Sequence, residues 1–194
     1  MENEKELNVK EALVDYDRYY TYADYVKWDD DTRWELIDGI PYAMSVPSRR
    51  HQEISIRLIE NFLSLLKDKT CKVYHAPFDV RLNPDTKDDT VVQPDIVVIC
   101  DPDKLTDAGC DGAPDLVIEI LSQSTAKYDS ITKFSKYREC GVREYWIVDP
   151  EINALYMHIL KGEDYIIHAY SVESTVPIHI MNGCTIDLAK VFED

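Results

Sequence analysis

The sequence predicts an α/β (α+β) domain with a mixed central β-sheet, flanking helices and a C-terminal antiparallel meander. Three observations carry this reading. Strand-like and helical runs are interspersed along the chain in the order hairpin, helix, strands, helix, strands, a pattern that points to a sheet covered by helices. Two runs, "VVQPDIVVIC" (91–100) and "LVIEIL" (116–121), are apolar at consecutive positions, as strands buried on both faces require. Near the C-terminus "VREYWIVD", "ALYMHILK" and "DYIIHAYS" are separated only by "PEIN" and "GE", which suits consecutive antiparallel strands. With 194 residues, 45% of them hydrophobic, the chain can bury one sizeable core and does not need two. A single domain is therefore expected over 20–194, after a polar tail at 1–19.

Each element has its own signal. Thr21 with Asp24 three residues on forms a capping box for a short helix in "TYADYVKWDDDT". "RWELIDGIPYAMS" alternates about Asp38-Gly39, a two-residue hairpin turn. Ser48 or a neighbour starts a long helix through "HQEISIRLIENFLSLLKDK", in which Ile54, Leu58, Phe62 and Leu65 recur at helical spacing. "CKVYHAPFDVRL" and "VVQPDIVVIC" are each expected as one strand, with loops at "NPDTKDDT" and "DPDKLTDAGCDGAP". "STAKYDSITKFSKYREC" is expected as a helix capped by Ser124 or Thr125 and closed by Gly141. A short terminal element is expected around Val176 to Phe192.

Composition narrows the function classes. The N-terminal stretch is charged and lacks an apolar run, and nothing approaches the roughly 18 to 20 apolar residues of a membrane span; a soluble cytoplasmic protein is expected. The five cysteines, Cys71, Cys100, Cys110, Cys140 and Cys184, are scattered without CxxC spacing, so free thiols are expected rather than a zinc site or a disulfide framework. The formal charge of −16 opposes extensive contact with DNA, which rests on cations displacing counterions. Any nucleic-acid partner needs a local basic face. Lys127, Lys133, Lys136, Arg138 and Arg143 supply one candidate, and Arg49, Arg50 and His51 a smaller one; both also read as ordinary solvated surface.

Two strands that read as core each carry an acid, Asp95 and Glu119, neither at an evident strand end. A buried carboxylate must be paired, neutralised or bound to a metal. On neighbouring strands roughly 4.8 Å apart these two could share one divalent cation. Asp115 lies roughly 13 Å from Glu119 along the same strand at about 3.3 Å per residue, too far to join it, and belongs at the strand entrance. Asp129, Lys133 and Tyr137 recur at i, i+4 and i+8, one stripe of the following helix. That stripe reads either as a surface ion pair or as a lysine returned to the acid. Glu35 is a third acid in a strand-like run.

Taken together, "RWELIDGIPY", "SRRHQEISIRL", "VVQPDIVVICDPDKL", "GAPDLVIEILSQST", the Asp129, Lys133, Tyr137 spacing and "GVREYWIVDP" resemble the Uma-two restriction endonuclease family, within the PD-(D/E)XK nuclease superfamily. The resemblance runs from about Tyr20 to the C-terminus. It implies a restriction-endonuclease-like core and metal-dependent hydrolysis of phosphodiester bonds in DNA. Pro94-Asp95 matches the "PD" element and Glu119 the following acid, while Leu121 stands where the superfamily pattern has lysine. By resemblance the lysine role passes to Lys133, with Lys136 as alternate. Asp95 and Glu119, with Glu35 as an additional acid, are the implied ligands of Mg²⁺ or Mn²⁺. His51, Gln93 and Tyr137 match family positions without an assigned role. A homodimer suits cleavage of both strands of a duplex. Two other classes stay open: a binding or regulatory protein that keeps the nuclease fold with little catalysis, and a hydrolase of a small phosphodiester.

Overall fold

The computed structural model describes residues 14–29, 31–122 and 132–193. Among these, fourteen strands are divided between two six-stranded sheets and a two-stranded ribbon. One sheet has the order β12-β11-β10-β9-β6-β3, built from β3 (Lys72–His75), β6 (Ile96–Ile99), β9 (Leu116–Ile120), β10 (Glu144–Asp149), β11 (Ala154–Lys161) and β12 (Asp164–Tyr170). It is mixed: β9 and β10 are parallel, and the remaining pairs are antiparallel. The run β10–β11–β12 is the expected C-terminal meander. The other sheet has the order β2-β1-β5-β4-β8-β7, built from β1 (Trp34–Ile37), β2 (Ile40–Ala43), β4 (Asp79–Arg81), β5 (Val91–Val92), β7 (Leu105–Thr106) and β8 (Gly109–Asp111). The ribbon pairs β13 (Thr175–Pro177) with β14 (Thr185–Asp187).

The division into two sheets corrects the expectation of two unbroken strands. "CKVYHAPFDVRL" breaks at Pro77 into β3 and β4, and "VVQPDIVVIC" breaks at Pro94 into β5 and β6. A proline offers no N–H to a ladder, so each run stops pairing there and its second half joins the other sheet. Asp95 consequently sits immediately before β6 and Glu119 is the penultimate residue of β9; both lie near strand ends, not in strand interiors.

Local chemistry explains most of the elements. Asp38 and Gly39 turn the chain between β1 and β2 with φ of 51° and 75°, the doubly left-handed turn that matches hairpin twist. A Cβ at Gly39 would also run into the Tyr19 ring. The Asp24 carboxylate takes both the backbone N–H and the hydroxyl of Thr21 at 3.1 Å, holding the start of α1 (Tyr22–Tyr25). Ser48 accepts from the His51 N–H at 3.2 Å and caps α2 (Arg49–Leu65). Gly141, with φ of 85°, closes α3 (Phe134–Cys140). The expected caps Ser124 and Thr125, with Lys127 and Asp129, lie outside the described residues.

The β9–β10 sheet is covered on both sides. On one face α2 packs Ile54, Leu58 and Phe62 against Ile96, Val98, Ile118, Ile120 and Trp146, together with α4 (Leu188–Val191). On the other, Val97, Ile99, Val117, Tyr145 and Ile147 meet Ile37, Val80, Val92 and Tyr137. Full burial of one such aliphatic or aromatic side chain contributes about 1.5–3 kcal/mol. Buried strand positions are not all apolar. Glu144 on β10 is fully buried, yet its carboxylate accepts from Trp146 Nε1 at 2.8 Å and from the Ile180 N–H at 2.9 Å. Burial raises its pKa, and these two bonds pull the other way.

A disulfide joins Cys71 and Cys100, which corrects the expectation of five free thiols. The residues follow directly on the register Lys72↔Ile99, so antiparallel pairing of β3 with β6 sets them opposite each other. No sequence spacing announces that. Cys110 is a buried free thiol, and Cys140 and Cys184 are partly exposed. Among the described residues no helix is long and apolar enough to cross a membrane.

His158 on β11 supplies a pH-dependent element of stability. Its ring is buried, donates from Nδ1 to the Tyr145 carbonyl at 3.1 Å and stacks on the Tyr145 ring. Burial lowers its pKa from the ordinary imidazole value of 6.5. A depressed folded-state pKa gives stability that is present above the unfolded value and lost as pH falls through the folded one. Urea midpoints are therefore expected to fall from about pH 7.5 to about pH 5.5, and His158→Gln to flatten that slope. Parallel pH profiles for the two proteins would contradict this assignment.

Candidate active site

Antiparallel pairing of β6 with β9 matches Ile96 with Ile118 and Val97 with Val117, so positions 95 and 119 face each other one step beyond the paired run. Asp95 bridges that end: its Oδ2 accepts from the Ile120 N–H at 2.8 Å and from His51 Nε2 at 3.1 Å. Both bonds fall on Oδ2, leaving Oδ1 without a protein partner among the described residues. His51 reaches it from the first turn of α2 and is 7% exposed. Its Nδ1 is buried and makes no hydrogen bond among the described residues.

Glu119 is held from the other side of the sheet. Its Oε1 accepts from Lys133 Nζ at 3.1 Å and from the Tyr137 hydroxyl at 2.7 Å. The helical stripe seen in the sequence thus turns inward, with Lys133 and Tyr137 stacked one turn apart on the same carboxylate oxygen. Tyr137 is fully buried, and burial followed by the Glu119 charge holds its hydroxyl well above the ordinary pKa, so it stays a donor. Lys133 Nζ also lies 2.8 Å from Glu35 Oε1. The ammonium and both carboxylates are almost wholly buried, with side-chain exposures of 3% for Lys133, 3% for Glu35 and 5% for Glu119. Glu35 Oε1 accepts in addition from the Gln93 N–H at 2.8 Å, which ties β1 to the Pro94 break. Lys136 is directed elsewhere, pairing with Asp38 at 2.7 Å and Glu139 at 2.9 Å.

Gln93 connects this cluster to two residues that sequence reasoning missed. Its Oε1 accepts from Arg33 Nε at 3.1 Å and Nη2 at 2.7 Å, while its Nε2 donates to Asp79 Oδ1 at 2.8 Å. Arg33 was legible in principle, since it stands two residues before Glu35 and so shares its face of the alternating run. Asp79 was not, because only the break at Pro77 brings it here. Burial raises the Asp79 pKa, opposed by its bonds to Gln93 and Tyr25.

Glu35, Asp95, Glu119, Lys133, Gln93, His51 and Arg33 all line one cavity of about 320 Å³. Asp115 does not: it clamps the entrance of β9, accepting from the Cys100 N–H at 2.6 Å and pairing with Arg143. Among the described residues no group of three or more His, Cys, Asp or Glu side chains is placed to hold a metal ion. The donor chemistry nevertheless suits a hard cation, because Mg²⁺ is usually held by one or two carboxylates and keeps several waters. Asp95 and Glu119 can provide that pair.

The mixed sheet and the cavity at its strand ends define a restriction-endonuclease-like protein. Residues 22–189 match the Uma2 family model, described as "Putative restriction endonuclease", and the chain belongs to that family. The crystal structure of "a putative nuclease belonging to DUF820" from Anabaena variabilis shares the fold, with a TM-score of 0.73 at 16% identity over 89% of this chain and 97% of that one. An uncharacterised protein of Synechocystis is 34% identical over 116 residues, 59% of this chain. The chain spans 60% of the length of that curated relative.

Proposed function

We propose that the protein is a metal-dependent nuclease that hydrolyses phosphodiester bonds in DNA. The observation that carries this reading is the convergence of Lys133 and Tyr137 on Glu119, which lines one cavity with Lys133 and Asp95. Asp95 and Glu119 are the residues that would hold Mg²⁺ or Mn²⁺. A divalent cation bound there would acidify a coordinated water and offset negative charge growing on the phosphate. Asp95 presents Oδ1 while His51 and the Ile120 N–H fix Oδ2. Tyr137 orients Glu119 by donating to Oε1. Lys133, held by Glu35 on one side and Glu119 on the other, keeps a positive charge at the cavity wall, where it can stabilise the phosphate or orient the attacking water. Glu35 then acts chiefly by positioning Lys133. This arrangement supports Lys133 as the lysine that Leu121 does not supply.

Supercoiled plasmid and single-stranded oligonucleotides, incubated with Mg²⁺ or Mn²⁺, test the reading. Cleavage by the natural chain and its loss in Asp95→Ala and Glu119→Ala are expected, by at least about 10²-fold. Equal rates in the natural chain and Glu119→Ala would remove the site assignment. No cleavage of any nucleic acid, together with no divalent-metal shift in melting temperature, would instead favour a binding module on a nuclease fold.

A further inference from the structure

A duplex is held by many cations free to replace condensed counterions. The chain carries −16 overall, and the described members of its two basic groups are engaged within the protein. Lys133 is buried between Glu35 and Glu119, and Lys136 lies between Asp38 and Glu139. Arg138 pairs with Asp164 at 3.0 Å, Arg143 with Asp115, and Arg49 with Glu53. Arg50 donates to the carbonyls of Phe192 at 2.6 Å and Glu193 at 2.8 Å. A cation beside a carboxylate adds little net positive potential, so the described part of the face expected to track a duplex offers little unopposed positive charge.

Arg33 differs from the carboxylate-paired cations in its partners and from Arg50 in lining the cavity. It is exposed, lines the cavity, and donates only to the neutral Gln93 amide from Nε and Nη2. Among the described residues it has no carboxylate partner, and Nη1 makes no hydrogen bond. Gln93 is itself anchored by its N–H on Glu35 and its Nε2 on Asp79, so the guanidinium is aimed by a neutral amide, and the Asp79 carboxylate, which feels its charge, forms no salt bridge with it. Its planar fork matches a phosphate. Tyr42, Met44 and Pro47 add apolar surface to the cavity lining. Its volume of about 320 Å³ is at the small end for ligand sites. That space has room for a nucleotide-sized group and none for a duplex, whose major groove alone is about 12 Å wide.

We propose that the cavity takes one unpaired nucleotide unit, its phosphodiester held by Arg33, so that the substrate is single-stranded nucleic acid or a short phosphodiester and not a tract of duplex. This rests on the phosphodiesterase reading. The test compares a single strand, a dinucleotide and a duplex of the same sequence, with Mg²⁺ or Mn²⁺, for the natural chain, Arg33→Ala, Arg33→Lys and the paired-cation controls Arg49→Ala and Arg138→Ala. The unpaired substrates are expected to be preferred; cleavage of the dinucleotide beside the single strand marks a small-phosphodiester site, and its failure marks one that needs a longer strand. KM for the single strand is expected to rise less than about tenfold between about 50 and 200 mM salt, as one or two phosphate contacts require. Arg33→Ala is expected to raise KM about tenfold or more with kcat within about threefold. Arg33→Lys is expected to recover part of that, and the controls to keep KM. Duplex preference, a salt loss of about 10³-fold, or a KM rise in the controls equal to that in Arg33→Ala would overturn the proposal while leaving a nuclease. Binding of a labelled single strand, measured by anisotropy with Ca²⁺ in place of Mg²⁺, covers the other failure. Arg33-dependent binding without any cleavage would sink the hydrolase reading and keep the ligand class, whereas binding indifferent to Arg33 would sink the ligand class itself.

Discussion

Glutamine at position 119 is expected to lower phosphodiester cleavage by about 10²–10³-fold while leaving the protein folded. The two halves of this result have separate causes. Glutamine keeps an oxygen that can accept the Tyr137 hydroxyl, now at 2.7 Å from Glu119 Oε1. Lys133 keeps Glu35 at 2.8 Å, so no buried charge is stranded. Only the negative charge opposite Asp95 is lost, and with it one of the two anionic ligands that a hard cation would use. Urea unfolding should therefore differ from the natural chain by less than about 1–2 kcal/mol. Glu119→Ala behaves differently, because it also leaves the fully buried Tyr137 hydroxyl without its acceptor. Calorimetric titration with Mn²⁺ gives a readout independent of turnover, and affinity is expected to fall in Glu119→Gln. Unchanged cleavage and unchanged metal affinity in that variant would show that Glu119 only anchors Lys133 and Tyr137.

Sequence logic reached this cluster because its signals are local. A charged residue inside "LVIEIL" is costly unless partnered, and Lys133 and Tyr137 four residues apart share one helix face, so the acid and Lys133 as one candidate partner could be named without coordinates, whereas Tyr137 had no assigned role. The Asp38-Gly39 turn and the Ser48 cap were legible for the same reason. What failed was sheet membership. The stretches 71–82 and 91–100 keep an apolar pattern straight through Pro77 and Pro94, and nothing in alternation states that the two halves of a run part company. From that one omission follow the unforeseen second sheet, the placement of Asp95 before β6 and the arrival of Asp79 beside Gln93, while the Cys71–Cys100 pairing follows from the β3–β6 register, which no spacing announces. Buried acids also mislead in the other direction. Glu144 lies on the strand beside Glu119 and is more deeply buried, yet neutral donors from Trp146 and Ile180 satisfy it, away from the cavity. Burial alone does not separate the two glutamates; the cation and the open space beside Glu119 do.

The largest loss of stability is expected from Lys133→Met. Methionine fills similar volume but takes away the ammonium that Glu35 and Glu119, 3% and 5% exposed, share. Removing one partner of a buried ion pair costs about 3–5 kcal/mol, against a total of about 5–15 kcal/mol for a domain. The Gln93 N–H on Glu35 and the Tyr137 hydroxyl on Glu119 remain, which keeps the cost from that of a bare buried ion. If the stranded charges are the cause, Glu35→Gln should recover much of the loss when added to Lys133→Met, although alone it removes a partner from Lys133 and destabilises. The coupling from such a double-mutant cycle should then be favourable by about 0.5–3 kcal/mol, measured by urea unfolding without divalent metal. Additive effects of the two substitutions, or a Lys133→Met variant within about 1 kcal/mol of the natural chain, would mean that the two carboxylates do not depend on the Lys133 ammonium. Lys133 would then contribute to the cavity through its charge alone, with no part in holding β1 against β9.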